Sequence, residues 1–374
     1  MSKVKIPVAA PLITGKELEY VKECINSGWI SSQSNYVNEF ESRFANFCQC
    51  EYGVTTNSGT TALHLALSTL NIGSYDEVII PTFTMIATPN SVMYTGAKPV
   101  LVDSEVNHWN IDVNKIEKQI TKKTKAIILV HTYGHPVDID PILELAKDYN
   151  LYVIEDAAEA HGAEYKGKKI GSFGHISCFS FYANKIITTG EGGILVTKDK
   201  ELAERAKWLR AHAFGKDGKH FHHEELGFGY RMSALQAAFG LGQLDSIENF
   251  VDSRRNNAKL YKDLLNNLSI SNKIILQSEA SWAKNVYWMF SILTTDFTPI
   301  SRNQLMDNLA SDGIETRTFF YPIHTQPIYS NLNKTHNFPI SEYLSKSGIN
   351  LPSGNNLTVK NIEYICDKIK NYLK

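Results

Sequence analysis

Lys185 is the residue of this chain whose neighbours could give it unusual chemistry. It lies between an apolar run, Cys178 to Ala183, and a turn carrying Gly190, Gly192 and Gly193, after which Ile194 to Thr197 reads as a strand. Burial disfavours the ammonium form, so a lysine in apolar surroundings has a lowered pKa. A neutral amine can attack a carbonyl and hold a Schiff base. On this stretch alone a solvated surface lysine is the commoner case, and what reverses the odds lies elsewhere in the chain. Asp156 follows the apolar run Leu151 to Ile154. An acid at the end of a buried strand can face a protonated pyridine nitrogen, whose charge lets the ring take up electrons from a carbanion; the plainer alternative is a helix N-cap. Ser58, Gly59 and Thr60 stand between a strand-like run and the helical stretch Ala62 to Leu70. The first N–H groups of that helix can point at an anion, although Ser58 or Thr60 could equally serve as a cap. Ser180 adds a hydroxyl five residues before the lysine. A Schiff-base amine, a pyridinium partner and phosphate donors are the parts of a pyridoxal phosphate site.

The elements that must position these residues follow from periodicity. An entry strand is expected first, then helices at Lys16 to Asn26, with Leu18, Val21, Cys24 and Ile25 on one face, and at Tyr36 to Phe47, with Val37, Phe40, Phe44 and Phe47. From Val78 onward short Val/Ile/Leu runs (Val78 to Ile80, Pro99 to Val102, Ala126 to Val130, Leu151 to Ile154) alternate with helical patterns at Thr84 to Tyr94 and Ile139 to Tyr149. That alternation predicts a mostly parallel sheet covered on both faces, with ligand groups outside the carboxyl ends of the strands. Asp103, His131 and the pair Glu155-Asp156 fall at those ends. Helices are expected at Asp199 to His212, Ser233 to Asp245 and Glu248 to Leu268, then a strand at Tyr287 to Leu293 and helices at Arg302 to Ser311 and Val359 to Leu373. The expected organisation is a large α/β unit over 1–247 and a smaller α+β unit over 248–374.

Composition narrows the class. The chain has 374 residues, 43% hydrophobic and 21% charged, with a formal net charge of -1, so a nucleic-acid partner is not expected. Its five cysteines are scattered and odd in number, which suggests no disulfide framework and a reducing compartment. The N-terminal stretch has too short an apolar core for a signal peptide and no run is long enough to span a bilayer, so the expected location is cytoplasmic, away from membranes. Phe214 to Gly229 reads as a loop; its His220, His222 and His223 lack a carboxylate or cysteine partner on a rigid element, and no metal site is expected.

Six segments carry a family resemblance: SGWISS (27–32), NSGTTALHLAL (57–67), VIEDAAEAHGA (153–163), SFGHISCFSFYANKIITTGEGG (172–193), GYRMSALQAA (229–238) and FYPIHTQPIY (320–329). The chain resembles the DegT/DnrJ/EryC1/StrS sugar aminotransferases, a branch of the aspartate aminotransferase fold, from Pro7 nearly to the C-terminus. The resemblance implies pyridoxal phosphate, passing through pyridoxamine phosphate during turnover, with Lys185 as the Schiff-base and proton-shuttling residue. It implies Asp156 at the pyridine nitrogen, Glu159 near the ring hydroxyl, Met85 against the ring, and Ser58, Gly59, Thr60 and Ser180 at the phosphate. His324, Tyr321, Trp29 and Arg231 would lie near the nucleotide sugar. It further implies a homodimer with shared active sites, the segment Gly229-Tyr230-Arg231-Met232 reaching the partner's cofactor. Two positions depart from many members: Gly229 replaces an asparagine that contacts the partner's cofactor phosphate, and Met85 replaces an aromatic residue stacked on the ring, where a thioether can still pack. Relatives that dehydrate sugars carry histidine in place of the lysine, so Lys185 argues for amino transfer. The expected reaction moves an amino group from L-glutamate to C4 of a nucleotide-linked 4-keto-6-deoxyhexose, with GDP-4-keto-6-deoxymannose the first choice and the UDP- or dTDP-linked glucose analogues next. Amination at C3, a non-catalytic cofactor-binding regulator and a dinucleotide-binding enzyme rank lower; the last lacks a G-x-G-x-x-G turn.

Overall fold

A computed structural model of the chain describes residues 6–215, 221–266, 270, 272–330 and 337–374. Helices α1 (Lys16–Ser27) and α2 (Asn35–Phe47) lead into β1 (Tyr52–Thr56) and α3 (Gly59–Thr69). Then come β2 (Glu77–Pro81), α4 (Ala87–Tyr94), β3 (Lys98–Val102), β4 (Thr124–Val130), α5 (Asp140–Asp148) and β5 (Tyr152–Asp156). A short hairpin, β6 (Glu164–Tyr165) and β7 (Lys168–Lys169), precedes β8 (Ile176–Ser180), β9 (Gly193–Thr197), α6 (Lys200–Arg210), α7 (Ala234–Leu244) and α8 (Ile247–Asn266). The remainder is β10 (Ile274–Leu276), β11 (Ala283–Lys284), β12 (Phe290–Thr294), α9 (Arg302–Ser311), β13 (Arg317–Thr318), α10 (Pro339–Ser347), β14 (Gly348–Leu351) and α11 (Val359–Leu373).

Seven strands form a sheet in the order β1-β9-β8-β5-β4-β2-β3. All its neighbours pair in parallel except β9, which runs antiparallel to both β1 and β8. The reason is the connection. Residues 181–192 join β8 to β9 without a helix, and returning parallel requires a longer crossover. That reversing segment is the one that carries Lys185. Successive residues of the central strands serve opposite cores, so Ile127 and Leu129 meet Phe40 and Phe44 of α2 while Ile128 meets the side holding Leu63 and Leu67 of α3. This explains the nearly continuous apolar runs in the sequence.

A second, antiparallel sheet, β10-β12-β14-β13, packs with α8, α9 and α11 through Tyr261, Leu305, Leu309, Ile362 and Ile365. Helix α8 serves both cores: Ile247, Phe250 and Val251 join that of the large sheet, and Ala258, Tyr261 and Leu265 that of the second. Crossings exist in both directions: Ile6 bridges Ile314, and Ile323, Tyr329 and Phe338 join the core of the large sheet.

Three expectations need correction. Among the described residues the entry strand is the single bridge at Ile6. On α1 the apolar set is divided: Leu18 and Ile25 are exposed, whereas Cys24 of the same set is buried together with Glu17. The Glu17 carboxylate accepts from the N–H groups of Thr14 and Gly15 and from Gln243 Nε2, and these bonds permit its burial. The hairpin β6–β7 was not expected; Lys166 (φ 49°) and Gly167 (φ 78°) give it two consecutive left-handed residues, the turn that matches strand twist. In the histidine loop Phe214 pairs with His223, and His223 Nδ1 lies 2.7 Å from the His212 carbonyl; Gly218 and His220, like Leu268 after α8, lie outside the described residues. Among the described residues no group of three His, Cys, Asp or Glu is placed to hold a metal, and no helix is long and apolar enough to cross a membrane.

Candidate active site

A cavity of about 490 Å³ opens at the carboxyl ends of β4, β5 and β8, against the second sheet. Ser58, Gly59, Thr60, Met85, Asp156, Glu159, Ser180 and Lys185 all line it. Each arrives by a different local device. Lys185 is fixed by the closed loop between β8 and β9, in which Phe181 N–H donates to the Gly192 carbonyl (2.9 Å), Thr189 N–H to that of Phe181 (3.0 Å) and Lys185 N–H to that of Tyr182 (2.9 Å). Asp156 ends β5, with Oδ2 accepting from Thr88 Oγ1 (2.7 Å) and Oδ1 from Ala158 N–H (3.3 Å). No helix follows it, so it is not a helix N-cap. At α3 Ser58 does cap its helix, by a reciprocal pair of bonds with Thr61 (3.2 and 3.1 Å). Capping occupies one N–H group and leaves those of Gly59 and Thr60 at the helix start. Gly59 must be glycine because a Cβ there would lie 2.7 Å from that of Ser180. The approach brings the Ser180 hydroxyl beside the positive end of α3.

Burial sets the electrostatics. The Lys185 side chain is 11% exposed, and its Nζ stands 3.9 Å from Glu159 Oε1. Burial lowers its pKa; Glu159 and Asp156 oppose the shift and Arg317 adds to it. Burial lifts Glu159 to about 7 against the pull of Lys185 and of the Tyr133 N–H, which donates to Oε2 at 2.7 Å. Asp156 is likewise raised by burial, partly offset by the Thr88 hydroxyl. The cavity thus holds two buried carboxyls whose pKa values burial raises, a lysine amine whose pKa burial lowers and the first N–H groups of a helix. This donor set fits a phosphorylated pyridine aldehyde.

Of the strand-end acids singled out by position, only Asp156 faces the cavity. Glu155 turns to the other side of the sheet. It accepts from His131 Nε2 (3.2 Å), Gly171 N–H (3.1 Å), Phe173 N–H (3.0 Å), Gly174 N–H (2.8 Å) and Ser177 Oγ (2.7 Å). Burial works against its charge, but these donors win and hold its pKa down at about 2. Asp103 receives Ser341 N–H (3.0 Å), Ser341 Oγ (2.7 Å) and Lys115 Nζ (3.1 Å), anchoring the first turn of α10.

The residues that the resemblance assigns to the sugar do not converge on this cavity within one chain. Trp29 and Arg231 line a separate, wider cleft of about 910 Å³. Tyr321 is exposed outside the cavity lining. His324 is already engaged, Nδ1 with Thr82 Oγ1 (2.8 Å) and Nε2 with Glu342 Oε1 (3.1 Å), its ring stacked on Phe338. The segment at Gly229 runs beside its own α3 loop, where the Tyr230 carbonyl accepts from Asn57 N–H (2.9 Å) and Tyr230 Oη lies 3.0 Å from His64 Nδ1. Conversely, the cavity contains residues that no motif announced: Tyr133, Trp288, Arg317 and Asn350. Lys185 and Arg317 are its only cations among the described residues. The sequence signal for Trp288 and Arg317 was slight, since one lies in a bend just before β12 and the other in the two-residue strand β13.

The sequence pattern of the DegT/DnrJ/EryC1/StrS aminotransferase family matches residues 11–370. A GDP-perosamine synthase of Escherichia coli O157:H7 is 47% identical over 367 residues, 98% of each chain. Among solved structures, DesV of S. venezuelae in complex with a ketimine intermediate superposes with a TM-score of 0.89 at 34% identity, covering 96% of this chain and 94% of that one. Spr1654 of Streptococcus pneumoniae, solved in a pyridoxamine phosphate form, gives 0.91 at 28% identity over 98% and 97% of the two chains. The fold is that of the pyridoxal phosphate-dependent aminotransferases, and the chain belongs to the DegT/DnrJ/EryC1/StrS aminotransferase family.

Proposed function

We propose that the chain moves an amino group from L-glutamate to C4 of a nucleotide-linked 4-keto-6-deoxyhexose, with the GDP-linked 6-deoxymannose derivative as acceptor. The observation that carries the reading is Lys185: a buried amine facing Glu159 in a cavity shared with Asp156 and the start of α3. When bound, pyridoxal phosphate supplies the carbonyl carbon that receives the amino group and the ring that takes up the electrons released. Ser180 and the first N–H groups of α3 would hold its phosphate, Met85 would pack against the ring, Asp156 would keep the ring nitrogen charged, and Glu159 would serve the ring hydroxyl. Lys185 Nζ would be the group that holds and passes on the proton during amino transfer, a role that requires the neutral amine for part of each cycle. The choice of C4 and of GDP follows the GDP-perosamine synthases, 47% and 43% identical to this chain in the first two cases.

The protein acts as a homodimer in this reading. Leu18, Ile25, Trp29 and Ile30 leave an apolar surface exposed on one chain, and the cleft of Trp29 and Arg231 then serves the partner's cavity. Purified protein incubated with glutamate and GDP-, UDP- and dTDP-linked 4-keto-6-deoxyhexoses, read by mass spectrometry, tests the assignment. The GDP-linked 6-deoxymannose derivative is expected to gain an amine with release of 2-oxoglutarate, and a folded Lys185→Ala variant is expected to give none. Amination of a UDP- or dTDP-linked sugar in preference would overturn the nucleotide choice, and turnover by the alanine variant the role of the lysine.

A further inference from the structure

Lys185 Nζ sits 3.8 Å from the centroid of the Trp288 ring. An ammonium that close to an indole face is held by the ring quadrupole, most strongly when water is excluded, and Trp288 is only 5% exposed. The ring is fixed from several sides. Its Nε1–H donates to the Asn184 carbonyl at 2.8 Å, so the indole is tied to the residue immediately before the lysine. Its own carbonyl accepts from Arg254 Nη1 at 2.7 Å. Tyr133 lies against it with centroids 6.2 Å apart and planes 28° from parallel. The two residues that frame this contact both have left-handed backbones, Tyr133 at φ 54° and Tyr287 at φ 47°. Such strain at non-glycine positions is sustained only where surroundings enforce it. Here the Tyr133 N–H is held by Glu159 (2.7 Å) and the Tyr287 N–H by Asn285 Oδ1 (2.8 Å).

We propose that Trp288 is a positioning residue for the lysine, its indole face being the seat of the Lys185 ammonium whenever that nitrogen is not covalently engaged. The inference rests on the assignment of Lys185 as the Schiff-base residue. In that assignment the lysine would be free as an amine for part of each half of the cycle, and would have to hold a proton and pass it on. A long side chain freed in a cavity of about 490 Å³ would otherwise sample many rotamers. The indole offers one place for the charged form, within reach of Glu159. Other groups facing the amine are Glu159 and Asp156, which favour the charge, and Arg317, which opposes it. The nearby His161 is kept neutral by burial, with its pKa pushed down to about 3, and the buried Tyr133 hydroxyl is pushed well above its usual range.

The test measures the lysine itself rather than turnover. Full-length protein in the pyridoxamine phosphate form, where the amine is free, is labelled competitively with trace acetic anhydride across a pH series, and the Lys185 peptide is quantified by mass spectrometry. The same series is run on protein freed of cofactor. Losing the ring face removes a stabiliser of the ammonium, so Trp288→Met is expected to titrate about one pH unit lower than the parent chain, and Trp288→Phe to stay within half of that shift. Trp288→Leu takes the place of the methionine variant if that one does not fold. Identical titration in parent, Met (or Leu) and Phe proteins overturns the proposal, as does an equal downward shift in Met and Phe, which would mark a merely structural role. Borohydride fixation of the cofactor on Lys185 of the parent protein is scored alongside. Its absence would sink the underlying assignment, whereas its presence with an unmoved titration sinks the role of Trp288 alone.

Discussion

At the scale of single residues, the site depends on buried carboxyls and a buried amine whose preferences oppose one another. Glu159 shows this most clearly. Its pKa is raised from 4.5 to about 7, so the folded chain binds that proton more tightly than the unfolded chain does. Stability from this group is fully present below about pH 4.5 and is lost as pH rises through 7. Thermal melts of cofactor-free protein are therefore expected to fall between these values, and Glu159→Gln to flatten the decline; an unchanged slope in the variant would remove Glu159 as the cause. The residues that converge on the cavity from the large sheet were legible in the sequence because each sits in a contiguous motif with its own local signature: an amine in an apolar run, an acid ending a strand, small hydroxyls opening a helix. Trp288, Tyr133 and Arg317 were not. Nothing in the residues around them distinguishes a side chain facing a cavity from one facing a core, and only tertiary packing of the second unit brings them to Lys185.

At the scale of elements, the segment most dependent on one side chain is the approach to β8. Glu155 takes three backbone N–H groups at Gly171, Phe173 and Gly174 while fully buried, and so fixes the direction from which β8 enters the sheet toward Ser180 and Lys185. Replacing Glu155 by Gln leaves some of these donors unmatched and is expected to destabilise the protein by about 3 kcal/mol in chemical unfolding. Because its folded pKa is depressed to about 2, the contribution of Glu155 is present above its unfolded value and is lost as pH falls toward 2. A loss below about 0.5 kcal/mol would show that the bonds carry no net weight. The alternation of strands and helices was readable because a doubly covered sheet imposes continuous apolar runs. The reversal of β9 was not read in advance, since direction is set by a connection and not by the strand. The hairpin β6–β7 escaped because two-residue strands have no periodicity to detect.

At the scale of the whole molecule, the exposed part of the apolar set on α1 is informative. An apolar stripe looks the same in sequence whether it meets its own core or a second chain. Leu18 and Ile25 are 71% and 58% exposed, while Cys24, with Val21 and Tyr20, packs against Ala234 and Ala238 of α7. In the proposed homodimer this stripe is covered. Leu18→Glu combined with Ile25→Glu is expected to shift sedimentation velocity from a dimer toward a monomer, and to lower amino transfer if the cleft of Trp29 and Arg231 serves the partner's cavity. A parent chain that sediments as a monomer at micromolar concentration would refute the assembly.

The account as a whole turns on the covalent role of one nitrogen. Borohydride reduction of the cofactor-loaded protein, followed by proteolysis and mass spectrometry, tests it directly. The account predicts a phosphopyridoxyl adduct on the peptide containing Lys185 and none on that peptide after pretreatment with glutamate. An adduct on another lysine, or cofactor released unreduced while Lys185 remains unmodified, would contradict it.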